Sequence, residues 1–139
     1  SKDGVTIDER LPVAIYGPRA EFELKNGKPD GNSGCEDPRA SVIDGRVYLT
    51  YTAYDGVRVP HGALTSISTE DFLAKRFDRW EEPKIVTPLD VDDKDLALLP
   101  GKIDGNFLLY HRINRRIVAD LVPDFTSGAA VSRNIEIAR

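Results

Sequence analysis

A nine-residue pattern occurs twice in this chain. Ile43-Asp44-Gly45-Arg46-Val47-Tyr48-Leu49-Thr50-Tyr51 aligns with Ile103-Asp104-Gly105-Asn106-Phe107-Leu108-Leu109-Tyr110-His111 at a constant offset of 60 residues. An Asp-Gly pair between two β-rich runs is the strongest short-range signal for a two-residue hairpin, because both central residues need a positive φ. Strand-like runs at 61–68 and 80–87 extend the first copy into a four-stranded antiparallel meander. Runs at 116–122 and 134–138 extend the second copy in the same way. Four-stranded units at this period are the pattern of propeller blades. The chain is therefore expected to be all-β and of propeller type, with about two blades and part of a third.

Residues 34–88 are assigned to one blade and 89–139 to the next. Residues 1–33 are assigned to outer strands of a preceding blade, with strands at 11–16 and 20–24. Residues 69–75 carry the single helical signal, about two turns. Two blades and a piece of a third cannot close a ring, and open sheet edges and faces are adhesive. The missing blades are expected either from a longer parent chain or from further copies in a homo-oligomer. The absence of methionine among 139 residues, in a sequence that opens in mid-pattern, fits a segment or a processed chain.

Composition narrows the partners. With 40% hydrophobic and 30% charged residues and a net charge of −4, the chain reads as a globular protein with no pull towards nucleic acid or an anionic membrane. No apolar run approaches the length that spans a bilayer. A single cysteine, Cys35, forms no internal disulfide and leans the assignment towards a reducing compartment. Its acidic neighbours raise a thiol pKa, so it is not read as a nucleophile.

The chemistry is concentrated in Gly34-Cys35-Glu36-Asp37-Pro38-Arg39. Pro38 disfavours the helical region for Asp37 and predicts an extended backbone there. Strand alternation then puts Asp37 and Arg39 on one face and Glu36 on the other. Two outcomes are open: a structural ion pair beside a turn proline, or an acid at the mouth of a strand. Further along, Arg112 shares a face with Leu108 and Tyr110, while Phe107, Leu109 and His111 face the opposite way. His111 is accordingly assigned to packing or hydrogen bonding. Tyr48, Tyr51 and Tyr54 are assigned to packing between blades. Asp92, Asp93 and Asp95 lack the turn glycine and closing glutamate of a calcium loop, so no metal is expected. Lys75-Arg76 and Arg115-Arg116 are read as solvated charge.

Taken together, several stretches resemble glycoside hydrolase family 130, the β-mannoside phosphorylases and related enzymes. They are residues 34–39, residues 47–55, Ser66-Ile67-Ser68-Thr69-Glu70-Asp71-Phe72 with Trp80, residues 94–105, and Leu109-Tyr110-His111-Arg112. The resemblance covers roughly 30–113 and implies the middle of a five-bladed propeller. It implies that Asp37 is the proton donor, with Arg39 beside it in the substrate site. The resemblance further implies that inorganic phosphate, a co-substrate rather than a cofactor, attacks the anomeric carbon from the far side to give α-mannose 1-phosphate with inversion. The aspartate passes its proton through a sugar hydroxyl to the glycosidic oxygen. No second carboxylate base is then required, unlike the inverting hydrolase with carboxylates about 6.5–9.5 Å apart. Lys94 and Arg112 are implied as phosphate ligands, Lys94 standing where the family more often carries arginine. Arg112 suits a forked grip and Lys94 a point charge. A cytoplasmic location follows, since phosphorolysis draws on cellular phosphate. Two other outcomes stay open: a hydrolase of the same fold, and a non-catalytic truncated propeller that binds sugar or self-assembles.

Overall fold

The computed structural model describes residues 1–26 and 31–126. Two antiparallel sheets form its framework. The first runs in the order β1 (Gly34–Ile43), β2 (Arg46–Tyr54), β3 (His61–Ser68) and β4 (Lys84–Ile85). The second runs β5 (Asp93–Ile103), β6 (Asn106–Ile113) and β7 (Arg116–Val122). Both are meanders in which each strand pairs with its neighbour in sequence.

The two Ile-Asp-Gly copies form the hairpins expected of them. Ile43 pairs with Arg46 and Ile103 with Asn106, leaving two residues in each turn. Asp44 and Gly45 have φ of 50° and 74°, and Asp104 and Gly105 have 48° and 79°. These are the positive values that fit the turn to the right-handed twist of the strands. A third turn of the same build, Asn114-Arg115, joins β6 to β7, with Ile113 opposite Arg116. Its two residues have φ of 48° and 66°.

Strand alternation divides the core in two. Val47, Leu49, Tyr51 and Ala53 point to one side of the first sheet, where they join Ala63, Ile67 and Trp80. Ile43, Leu64 and Val86 face the second sheet and pack against Leu96, Leu98, Phe107, Leu109 and Ile113. Hydroxyls stitch this contact. Ser41 Oγ donates to the Leu98 carbonyl at 2.7 Å and Thr50 Oγ1 to the Leu96 carbonyl at 2.8 Å, while Thr52 Oγ1 accepts from Asp95 N at 3.3 Å. β5 is an edge strand, and these side chains satisfy backbone groups that its own ladder leaves over. Gly62 marks the closest approach. A Cβ there would lie 2.3 Å from Leu96 Cδ1.

Three expectations differ from the structure. Residues 11–16 and 20–24 form no strand; they hold irregular chain and one 3-10 turn, Glu21–Glu23. Their apolar residues serve as a cover, with Tyr16 and Phe22 lying on the outer core of the first sheet. Their backbone donors turn inward as well, Arg19 N and Ala20 N each meeting the Glu23 carboxylate at 2.7 Å. The expected fourth strand at 80–87 shrinks to two residues. Pro83 precedes it without an N–H to donate, and Thr65 Oγ1 takes up the Glu81 carbonyl at 2.7 Å instead. The helix spans only Thr69–Leu73, capped by Ser68 Oγ on Asp71 N at 3.0 Å. The strand expected at 134–138 lies outside the described residues.

The far side of the second sheet is uncovered among the described residues. Tyr110, Ile117 and Leu121 are 39%, 77% and 56% exposed there, beside half-buried Leu108 and Arg112. No helix of the described residues is long and apolar enough to cross a membrane.

Candidate functional site

Two strand bulges, one in each sheet, carry the polar residues. β1 slips register against β2 between Glu36 and Arg39, and β5 slips against β6 between Lys94 and Ala97. Each bulge contains an aspartate in the left-handed region, Asp37 at φ 49° and Asp95 at φ 58°. Asp37 is therefore not extended, as the following proline led us to expect. The clash with a proline ring excludes the right-handed helical region, not the left-handed one, which aspartate tolerates better than most residues. The extra residue in the bulge also breaks strand alternation. Asp37 and Arg39 stay exposed. The Arg39 guanidinium donates to the Asp37 backbone carbonyl at 3.1 Å, so of the two outcomes left open the carboxylate–guanidinium pair does not form, and a contact that braces the bulge stands in its place. The Arg39 carbonyl lies 3.2 Å from Thr50 Oγ1, as the longer branch of a hydroxyl proton shared with the Leu96 carbonyl.

Lys94 and Arg112 come together. They face each other in the β5–β6 ladder and line an open cleft of about 250 Å³ with Asp92, Asn114 and Arg115. Lys94 Nζ lies 3.1 Å from Asp92 Oδ1. Arg112 Nε lies 2.6 Å from Asp95 Oδ2 as an ion pair, off the line a hydrogen bond needs. Asp37 and Arg39 stand outside this cleft. Thr52 connects the two bulges, since it pairs with Glu36 and accepts from Asp95 N. The bulges thus lie at the same end of the sheets.

Behind the cleft is a buried cluster that residue types alone did not assemble. His111 Nδ1 is 2.7 Å from Asp93 Oδ2, and His111 Nε2 is 2.9 Å from Asp120 Oδ2. The three residues belong to β5, β6 and β7 and lock those strands just where Lys94 and Arg112 emerge. Burial alone would lower the His111 pKa, but the hydrogen bonds and charges of Asp93 and Asp120 outweigh it and hold it above its ordinary value. Alternation had placed His111 inward; its partners on β5 and β7 were not readable from spacing.

A second buried hub stands behind the first bulge. Glu23 is fully buried and accepts from Tyr16 OH at 2.7 Å, from Tyr51 OH, and from the backbone N–H groups of Arg19 and Ala20. Burial pushes its pKa up, yet the donors prevail and hold it below the ordinary carboxylate value. The Cys35 thiol, 3.5 Å from Glu23 Oε1, is pushed up to about 12 by burial and by that carboxylate. The thiol is unreactive at neutral pH, in keeping with the sequence. Arg115 is exposed, as its sequence context suggested, and it also lines the rim of the cleft.

Comparison with known proteins follows the same residues. The profile of glycoside hydrolase family 130, described as β-1,4-mannooligosaccharide phosphorylase, matches residues 15–125. A 1,2-β-oligomannan phosphorylase from Thermoanaerobacter sp. (strain X514) is 34% identical over 112 residues, covering 81% of this chain and 32% of that protein. A β-1,2-mannobiose phosphorylase from the same organism is 35% identical over 79 residues, covering 57% of this chain and 24% of that protein. The chain thus spans about a third or less of the length of these relatives. On the match over residues 15–125, the chain belongs to glycoside hydrolase family 130.

Proposed function

We propose that this chain is the portion of an inverting β-mannoside phosphorylase that carries the proton donor and half of the phosphate grip. One observation carries the proposal: Lys94 and Arg112 stand side by side in an open polar cleft, at the end of the sheets where Asp37 is held on its bulge. In this reaction a phosphate oxygen forms a bond to the anomeric carbon while the bond to the glycosidic oxygen breaks. The leaving oxygen takes a proton that originates on Asp37 and travels through a sugar hydroxyl. The products are α-mannose 1-phosphate and the shortened mannoside. Phosphate brings its own negative charge as nucleophile, so Lys94 and Arg112 need only hold and orient it. No cofactor or metal takes part. Arg39 helps to frame the sugar site from the other side of Pro38.

The open cleft and the uncovered face of the second sheet support a five-bladed ring completed by further blades, from a longer parent chain or from partner copies. Enclosure on several sides is what gives a sugar site its affinity. A cytoplasmic setting supplies the phosphate. The names of the relatives favour β-1,2- or β-1,4-mannosides as the substrate class.

The test is phosphate release from α-mannose 1-phosphate with a mannose acceptor, run on whichever assembly light scattering shows. Turnover that needs phosphate in the degradative direction and is abolished by Asp37→Asn is the expected result. Sugar release without phosphate would replace the proposal with hydrolysis. A second reading of that kind has one observation in its favour, the Asp95 carboxylate held on Arg112 where an anion would bind.

A further inference from the structure

Three two-residue turns in this molecule have the same frame, and one of them breaks the rule the other two obey. Ile43-Asp44-Gly45-Arg46, Ile103-Asp104-Gly105-Asn106 and Ile113-Asn114-Arg115-Arg116 each place an Asx residue first, at φ of 48° to 50°. The second position is glycine in two of them, at 74° and 79°. In the third it is Arg115, at 66°. A side chain with a Cβ is disfavoured at that position, where Asn-Gly is the preferred pair. A strained residue that persists in a frame with a ready alternative points to use at that position.

The use follows from charge. Three cations line the cleft, Lys94, Arg112 and Arg115. Asp92 sits 3.1 Å from Lys94, and Asp95 sits 2.6 Å from Arg112. Arg115 has no carboxylate or hydrogen-bond partner among the described residues. The positive charge left over in the cleft therefore belongs to Arg115.

We propose that Arg115 is the third cation of the phosphate site, an uncompensated guanidinium that binds a phosphate dianion, free or as the sugar ester, ahead of its settling on Lys94 and Arg112. This rests on the phosphorylase reading above. It assigns to Arg115 the anion-recruiting role, because Lys94 and Arg112 must first exchange their own aspartates for phosphate. A guanidinium is suited to this, since its forked donors match two phosphate oxygens.

Arg115→Gly separates function from structure, because the two move in opposite directions. The variant restores the glycine of the other two turns, so its melting temperature rises by a few degrees. Its affinity for phosphate falls by about tenfold or more, the loss expected for one charge-assisted contact. Arg115→Lys, which keeps the charge, retains most of the affinity. The probes are inorganic phosphate and α-mannose 1-phosphate at fixed ionic strength, followed by the phosphorus-31 signal. Weaker binding of either probe supports the proposal and says which one Arg115 serves. Unchanged binding of both, or a variant less stable than the parent, overturns it and leaves the phosphorylase reading standing. A parent chain that binds neither probe, in the assembly that turns over mannoside, overturns the site reading and this inference together.

Discussion

Replacing Gly62 by alanine tests how the two sheets meet. A Cβ at this position would lie 2.3 Å from Leu96 Cδ1, 2.6 Å from Leu96 Cδ2 and 2.7 Å from Thr87 Cγ2. Real carbon pairs do not approach that closely, so something has to move. Leu96 and Thr87 have little room, at 0% and 1% exposure. Thr87 is also tied down, its Oγ1 accepting from Gly62 N at 2.9 Å, while Val86 N donates to the Gly62 carbonyl at 2.9 Å. Overpacking of a tight core costs about 1–3 kcal/mol, and three simultaneous clashes against immobile atoms place this case at about 3 kcal/mol. For a chain of this size that corresponds to a fall in Tm of about 10–15 °C. Calorimetry of Gly62→Ala, Leu96→Ala and the double variant is the assay. Leu96→Ala alone costs about 2–5 kcal/mol through its cavity. In the double variant the new methyl occupies that cavity, so the two penalties overlap by about 2 kcal/mol. A Gly62→Ala protein that melts within about 3 °C of the parent would refute the packing, as would penalties that simply add.

Three further outcomes follow from the buried polar groups. Glu23→Gln turns an acceptor of four O–H and N–H donors into a group that also donates, costing about 2–4 kcal/mol at neutral pH by chemical denaturation. Since the folded Glu23 pKa lies below its ordinary value, that contribution is present above the ordinary carboxylate pKa and is lost as pH falls through the folded value. The gap between parent and variant should therefore close in acid; a gap that holds at every pH would contradict the charge state assigned here. His111→Gln removes the opposite dependence. The folded His111 pKa is raised, so its contribution is full below about pH 6.5 and declines as pH rises through the folded value, and melting curves should converge towards alkaline pH. Cys35, with its pKa near 12, should resist alkylation at pH 8 in the folded protein and react once urea is added; rapid labelling without denaturant would overturn its placement.

The hairpins were legible because Asp-Gly encodes a backbone shape by itself. Burial of His111 was legible because alternation needs only one fixed neighbour. Pairing with Asp93 and Asp120 was not, since it depends on the β5–β6 and β6–β7 registers, and one bulge shifts every residue beyond it. The same shift explains Asp37. Its neighbours suggested a plain strand, and the extra residue between Glu36 and Arg39 became visible only against β2. At the N-terminus, apolar spacing was a poor guide. Tyr16 and Phe22 do bury, but as a cover over the first sheet whose backbone bonds are taken up by Glu23. Arg115 is solvent charge, as two adjacent arginines suggest, but its place at the cleft was not legible because it depends on the β6–β7 turn lying beside Lys94 on β5.

The hydroxyl contacts between the sheets bear on how the protein is made. Synthesis proceeds from the N-terminus, and each strand pairs with the one just before it, so β1, β2 and β3 can assemble while β5 is still unmade. Until β5 arrives, the face that will receive it lies open to water in the nascent chain. Ser41, Thr50 and Thr52 are spaced along that face between the apolar side chains that later meet β5. Before docking they are hydrated, and they interrupt a surface that would otherwise adhere to other unfinished chains. After docking the same three oxygens find backbone partners on β5, so the polarity that protects the half-made protein leaves none of these three hydroxyls unpaired in the finished one.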